Sequence, residues 1–260
     1  MTVPFENDTG NIVRKLAGKS LKSEKRRNLM VVIAVALASC LICFSIVMAL
    51  STRQIEKNHV EDTYEAVYTR ITEEDVSTLK GLDDFSRVGE YYMLALEPAE
   101  QGYNASYIYC DEETMYIARD QMKLLEGRLP QKEDEVVVSR YFLSNYAADA
   151  GIGEKVMLSS ESFHGEYTVT GIMEGYKEKE VNGSSILLSK EALKGWSGYD
   201  PADYRAYVHF KNEQQMDETE LTARSREIAK EYQLEMPIMN LSYMKFYKQP
   251  VNVSMLALVA

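Results

Sequence analysis

Residues Leu29–Leu50 read LMVVIAVALASCLICFSIVMAL, with no charge, proline or glycine among them. As a helix this run reaches about 33 Å, enough to cross a hydrocarbon core about 30 Å thick. A helix buried in a soluble core usually keeps a polar face, whereas here only Ser39 and Ser45 interrupt the apolar surface. The chain is therefore read as a basic segment at 1–28, a transmembrane helix at 29–50, and a large domain beyond it. The whole-chain mean hydropathy of −0.30 conceals this unevenness.

Orientation follows from the charges that flank the span. Arg14, Lys15, Lys19, Lys22, Lys25, Arg26 and Arg27 precede it against Glu6, Asp8 and Glu24, while only Arg53 and Lys57 closely follow it. Lys and Arg near a span are retained in the cytoplasm, so the N-terminus is expected inside and the large domain outside. A cleaved signal peptide competes for the same pattern, but the apolar run is too long for one. Leu37, Ala38, Ser39 and Cys40 also fit a lipoprotein-processing box. Against it, LICFSIVMAL continues the apolar run where a lipoprotein turns polar.

With the seven basic and three acidic residues before the span set aside, 22 Lys and Arg face 37 Asp and Glu, a net charge of −15. Such a field repels nucleic acid and anionic lipid. At 45% hydrophobic residues the chain is not of the disordered class. Cys110 is the one cysteine beyond the span, so no disulfide forms within the domain, and its packed core must stabilise it.

The pattern predicts an α+β domain over 51–250. Asn11–Ser23 places Ile12, Leu16, Lys19 and Val13 at helical spacing, which suits a helix on the inner leaflet, a docking surface for a cytoplasmic partner, or a solvated flank. Ser51–Tyr64 lacks Pro and Gly, so the membrane helix is expected to continue as a short stalk. Thr72 and Asp75 offer a capping pair for a helix through Leu79, closed by a turn at Gly81, Asp83 and Asp84. Runs rich in Val, Ile and Tyr predict strands at Arg87–Leu96, Ser106–Cys110, Glu135–Val138, Lys155–Ser159, Tyr167–Ile172, Ser185–Leu188 and Tyr204–Phe210. Helices are expected at Ser139–Ala148, Lys190–Gly195 and Asp217–Tyr232, the last with Leu221, Ile228 and Tyr232 along one face. Tyr91, Tyr92, Tyr103, Tyr107 and Tyr109 are read as strand packing. Near the end, Tyr243, Lys245, Phe246, Tyr247 and Lys248 suggest an interfacial belt. The apolar tail VNVSMLALVA at 251–260 then has the composition of a second span just beginning.

Two stretches carry a family resemblance. Leu124–Ala147, LLEGRLPQKEDEVVVSRYFLSNYA, with Gly127, Arg128, Pro130 and Glu135 at its marked positions, resembles the signature of FtsX-like permeases of ABC transporters bearing a MacB-type periplasmic core domain. GEKVML at Gly153–Leu158 and YTVTGIME at Tyr167–Glu174 are similar to that family's strand pair, with Thr170 where a hydrophobic residue is usual. The resemblance implies a permease subunit that couples ATP hydrolysis by a separate ABC-type ATPase subunit to movement of an extracytoplasmic domain. It also implies a homodimer or heterodimer of permeases in a bacterial plasma membrane, and a peptide, lipoprotein or protein partner outside. The residues themselves give simpler readings. Gly127 suits a positive φ that stops a preceding helical turn, Pro130 fixes an extended exit, and Arg128 pairs with Glu133, Asp134 or Glu135 or is solvated.

No catalytic, cofactor-binding or metal residue is assigned. His59, His164 and His209 stand in no recognisable Ser or Cys constellation and are read as surface or strand residues. Neither His164 with Glu161 and Glu166 nor Asp111, Glu112 and Glu113 has an established ligand spacing. No glycine-rich phosphate loop followed by Lys and Ser or Thr occurs, so ATP hydrolysis would belong to another chain. Two further readings stay open, a single-span anchored extracellular sensor or binding domain and a tethered enzyme.

Overall fold

The computed structural model describes residues 10–23, 25–175 and 178–248. The tail at 251–260, where a second span is expected to begin, lies outside them. The chain divides into two compact units, the second being Glu56–Pro250.

The first unit holds α1 (Gly10–Ser23) and most of α2 (Lys25–Val60), whose last five residues belong to the second. The apolar run sits within α2, which has no internal Pro or Gly and continues for 36 residues, about 54 Å. Its apolar window has a mean hydropathy of 2.9, and none of it is buried against the described residues. Ser39 and Ser45 return their hydroxyls to the carbonyls of Val35 and Leu41, each at 2.9 Å, so the two polar groups in the run are satisfied inside the helix. The expected stalk ends at Val60, short of Tyr64. Asp62 takes φ 53°, and Thr63 donates to the Val60 carbonyl through both its N–H and its hydroxyl, turning the chain into the sheet.

The second unit is α+β, as its pattern predicts. Its strands are β1 (Ala66–Ile71), β2 (Phe85–Pro98), β3 (Asn104–Cys110), β4 (Met122–Gly127), β5 (Glu135–Ser139), β6 (Lys155–Ser159), β7 (His164–Gly175), β8 (Gly183–Leu188), β9 (Tyr204–Phe210) and β10 (Ile238–Met239). They form one mixed sheet in the order β10-β1-β9-β2-β3-β8-β5-β7-β4, with β6 also on β7. The β3–β8 and β5–β7 pairs are parallel, and the others are antiparallel. Its helices are α3 (Glu73–Lys80), α4 (Glu112–Ile117), α5 (Arg140–Tyr146), α6 (Glu178–Val181), α7 (Lys190–Gly195) and α8 (Glu218–Glu231), followed by a turn at Leu241–Tyr243 and a π-helical turn at Met244–Lys248.

Strand alternation divides the apolar residues into two layers. Tyr68, Tyr107, Val136, Val138, Ile186, Leu188, Ala206 and Val208 face the larger layer, where α3, α5, α7 and α8 contribute Leu79, Phe142, Leu193, Leu221 and Ile228. The intervening Val67, Ile108, Val137, Leu187 and Tyr207 face a smaller layer closed by Met115 and Ile117 of α4. β5 is buried on both faces, which explains its uninterrupted VVV. Local signals set the helix starts. Thr72 and Asp75 form a reciprocal capping box, as do Asp217 and Glu220, while Ser139 and Ser189 accept from the third backbone N–H of α5 and α7. The tyrosines read as strand packing are buried, and Tyr92 meets Tyr204 edge to face at 5.1 Å.

Several elements differ from expectation. β1, β4, α4 and α6 carried no strand or helix assignment, and β2 is longer at both ends. Gly127 does have a positive φ, 83°, but it ends strand β4 rather than a helical turn.

Candidate functional site

The two signature stretches meet at one seam. Gly127 pairs with Gly171 across β4 and β7, and Arg128 donates its backbone N–H to the Thr170 carbonyl at 3.0 Å. A Cβ on Gly127 would lie 2.2 Å from that carbonyl oxygen and 2.7 Å from Gly171 Cα, so the strands approach this closely only without side chains. Arg128 selects Glu135 among its three candidate partners, in a fork of 2.8 and 2.7 Å. The Gln131 N–H adds a third bond at 2.8 Å. Arg128 and these backbone donors hold the Glu135 carboxyl down to about 2. Thr170 satisfies its hydroxyl on the Val136 carbonyl at 3.2 Å, which accounts for a polar residue at this buried position. The seam fixes the sheet and presents no reactive group.

A second cluster lies at the root of the sheet, where β1 begins, β9 ends and the segment after β10 returns. Glu65 is fully buried: its Oε2 accepts from the Phe210 N–H at 2.8 Å, and its Oε1 lies 2.7 Å from His209 Nδ1. His209 Nδ1 is also 3.1 Å from the Thr63 carbonyl, which only accepts, so Nδ1 carries a proton. Asn240 stitches the returning segment to the same place. Its backbone N–H donates to the Glu65 carbonyl at 2.8 Å and its side-chain amide to the Tyr64 carbonyl at 3.0 Å. Beyond it, Lys248 Nζ pairs with Glu213 Oε2 at 3.2 Å and also donates to the Glu213 carbonyl, both side chains being 7% exposed or less. Lys57, three residues before the end of α2, sits 5.0 Å from the ring centroid of Tyr247, which stacks on Tyr243.

The other flank of the entry is tied to the stretch after α4. Arg119 donates to the Glu61 carbonyl, Gln121 to the Tyr64 hydroxyl, and Tyr64 N–H to the Ile117 carbonyl at 3.0 Å. Tyr64 packs edge to face on Tyr207 at 4.7 Å. Asp120 is half-buried here, and desolvation of its carboxyl lifts it to about 6. Burial likewise raises Glu65. Burial by itself would lower His209, but the hydrogen bond and charge of Glu65 outweigh it and the imidazole is raised. The folded pair thus retains protons more firmly than the separated groups. The arrangement binds the entering and returning segments to the same strand ends.

Of the residues singled out from sequence, Arg128 and Glu135 come together, whereas the histidines do not. His59 contacts the Asp120 carbonyl at 3.2 Å, His164 opens β7, and His209 joins the root. Asp111 caps α4 and receives Lys80 at 3.0 Å, and Glu113 pairs with Arg87, so two of the three acidic residues are built into the fold. Among the described residues no three His, Cys, Asp or Glu side chains are placed to hold a metal ion. The aromatic and basic belt needs correction, because Tyr243 is buried in the core and Lys248 turns inward onto Glu213. Glu65, Glu213 and Asn240 were missed. Asn240 had a readable signal, a capping side chain before Leu241–Tyr243, while the two glutamates gave none.

A mixed sheet with helices mainly on one layer, preceded by a long apolar helix, defines a membrane-anchored α+β domain. The family model for the MacB-like periplasmic core domain matches residues 29–226, and the chain belongs to that family. No curated protein matches it. Similar solved structures include the extracellular domain of the noncanonic ABC-type transporter YknZ from Gram-positive bacteria, at 14% identity and TM-score 0.48, covering 68% of this chain and 100% of that one. A permease-protein domain from Porphyromonas gingivalis matches at 14% identity and TM-score 0.47, covering 75% and 96%. The periplasmic region of MacB from Actinobacillus actinomycetemcomitans matches at 11% identity and TM-score 0.48, covering 71% and 91%.

Proposed function

We propose that the chain is the permease subunit of an ABC-type transporter or mechanotransmission complex, coupling ATP hydrolysis by a separate subunit to conformational change of its extracytoplasmic domain. Family membership supports the class. The observation that carries the coupling is the single helix α2, which runs from the apolar span to the buried Val60 without a Pro or Gly. In this reading 1–28 is cytoplasmic, 29–50 crosses the bilayer, 51–250 is the extracytoplasmic domain with its stalk, and 251–260 begins a second span. Nucleotide-driven movement at the cytoplasmic end travels along α2 and reaches the sheet at the root, where the Glu65–His209 and Glu213–Lys248 pairs resist separation of the strand ends. Permeases of this kind work as homodimers or heterodimers, and the outer domain engages a peptide, lipoprotein or protein partner.

The test is a hinge placed in the exposed part of α2. Ser51→Gly with Thr52→Gly costs the helix about 1 kcal/mol per residue and frees its backbone. In the reconstituted complex, ATP is expected to alter spin-label distances across the unmodified outer domain. The hinged variant should hydrolyse ATP but show no such change. An outer domain that ignores ATP before the hinge is introduced would contradict the proposal.

A further inference from the structure

We infer that α1 lies on the surface of an anionic bilayer, with Ile12, Val13 and Leu16 in the acyl boundary and its lysines against lipid phosphates. This rests on the membrane span and not on the transporter reading, so either can fail without the other. At about 3.6 residues per turn, positions 12, 13 and 16 share one arc and Lys15, Lys19 and Lys22 share another. The apolar side chains are 59%, 61% and 63% exposed, so nothing among the described residues covers them. The helix sequence GNIVRKLAGKSLKS contains four basic and no acidic residues. Water is an unfavourable neighbour for that apolar arc.

Charge and tether together identify the occupant. An anionic lipid surface complements a helix of this composition, with each Lys or Arg favouring the bound state roughly fivefold. Only Glu24 separates α1 from α2, so the helix cannot move far from the bilayer that its neighbour enters. A protein groove would also accept three apolar side chains. It would not by itself explain four basic and no acidic residues in a helix that ends five residues before the apolar span.

The test uses the full chain with its single native tryptophan removed by Trp196→Phe, and an indole introduced by Leu16→Trp, Val13→Trp or, as the opposite-face control, Gly18→Trp. A Cβ at position 18 would meet no described atom within 4 Å outside the helix's own backbone, so an indole can be attached there. Each variant is reconstituted into vesicles of phosphatidylcholine alone or mixed with phosphatidylglycerol, with brominated acyl chains as quencher. The inference predicts blue-shifted, quenched emission for positions 13 and 16 in the anionic vesicles, little quenching at position 18, and loss of quenching at 1 M salt, where the Debye length falls to about 3 Å. Lys15→Gln, Lys19→Gln and Lys22→Gln together should lower the bound-to-free ratio roughly a hundredfold. Water-like emission at all three positions would overturn the inference. Equal quenching in neutral vesicles, or shielding that appears only when a cytoplasmic protein is added, would do so as well.

Discussion

Gly127→Ala tests the account of the signature seam, because Gly153 supplies an internal comparison. Both glycines have φ near +85°, 83° at Gly127 and 89° at Gly153, where an L side chain costs about 1–2 kcal/mol. They differ in what a Cβ would meet. At Gly153 there is nothing within 4 Å, whereas at Gly127 the Thr170 carbonyl oxygen is 2.2 Å away and Gly171 Cα 2.7 Å. Those are backbone atoms of the paired strand, and the same carbonyl accepts the Arg128 N–H, so relief requires β4 and β7 to separate. Overpacking of this kind adds about 1–3 kcal/mol. Gly153→Ala is therefore expected to destabilise by about 1–2 kcal/mol and Gly127→Ala by about 2–5 kcal/mol. Urea unfolding of the purified chain in mild detergent, followed by Trp196 fluorescence, reads this unit directly, since Trp196 packs on Phe163 beside β6 and β7. Equal losses in the two variants would refute the argument, because they would leave the close approach of β4 and β7 without consequence.

Two further outcomes concern the root. Lys248→Met strands the buried Glu213 carboxylate and should cost about 3–5 kcal/mol, while adding Glu213→Met should recover most of it; unfolding free energies of the two single variants and the double variant measure this. For His209 and Glu65 the folded state holds protons more firmly than the unfolded one, so Glu65's share is complete below pH 4.5 and His209's below pH 6.5, and each declines as pH rises through that group's raised folded value. His209→Gln should flatten that decline in a series of denaturation midpoints, whereas an unchanged slope would show that the pair does not titrate as described.

What sequence reveals here follows the range of the interactions involved. The span is legible because a bilayer demands an unbroken apolar run, and the capped helices are legible because Thr72, Ser139, Ser189 and Asp217 act within one turn. β4 was obscure because MKLLEG is a half-covered edge strand whose adjacent leucines do not alternate. α4 was hidden by its own cap, since Asp111 followed by two glutamates invites a search for metal ligands. The belt at the end misled because Tyr and Lys suit both a membrane interface and a buried cluster, and only the distant Glu213 decides between them. The root could not be assembled from sequence at all, since Glu65, His209, Asn240 and Lys248 meet only after β1 has paired with β9 and β10.

The transporter reading requires an ATP-binding cassette ATPase as a partner subunit. Extracting the tagged, complete membrane protein gently from its native membrane and identifying co-purifying chains by mass spectrometry tests it most directly. A stoichiometric ATP-binding cassette subunit is the expected result. Its reproducible absence from an otherwise intact membrane complex would contradict the transporter reading and point to an anchored binding domain.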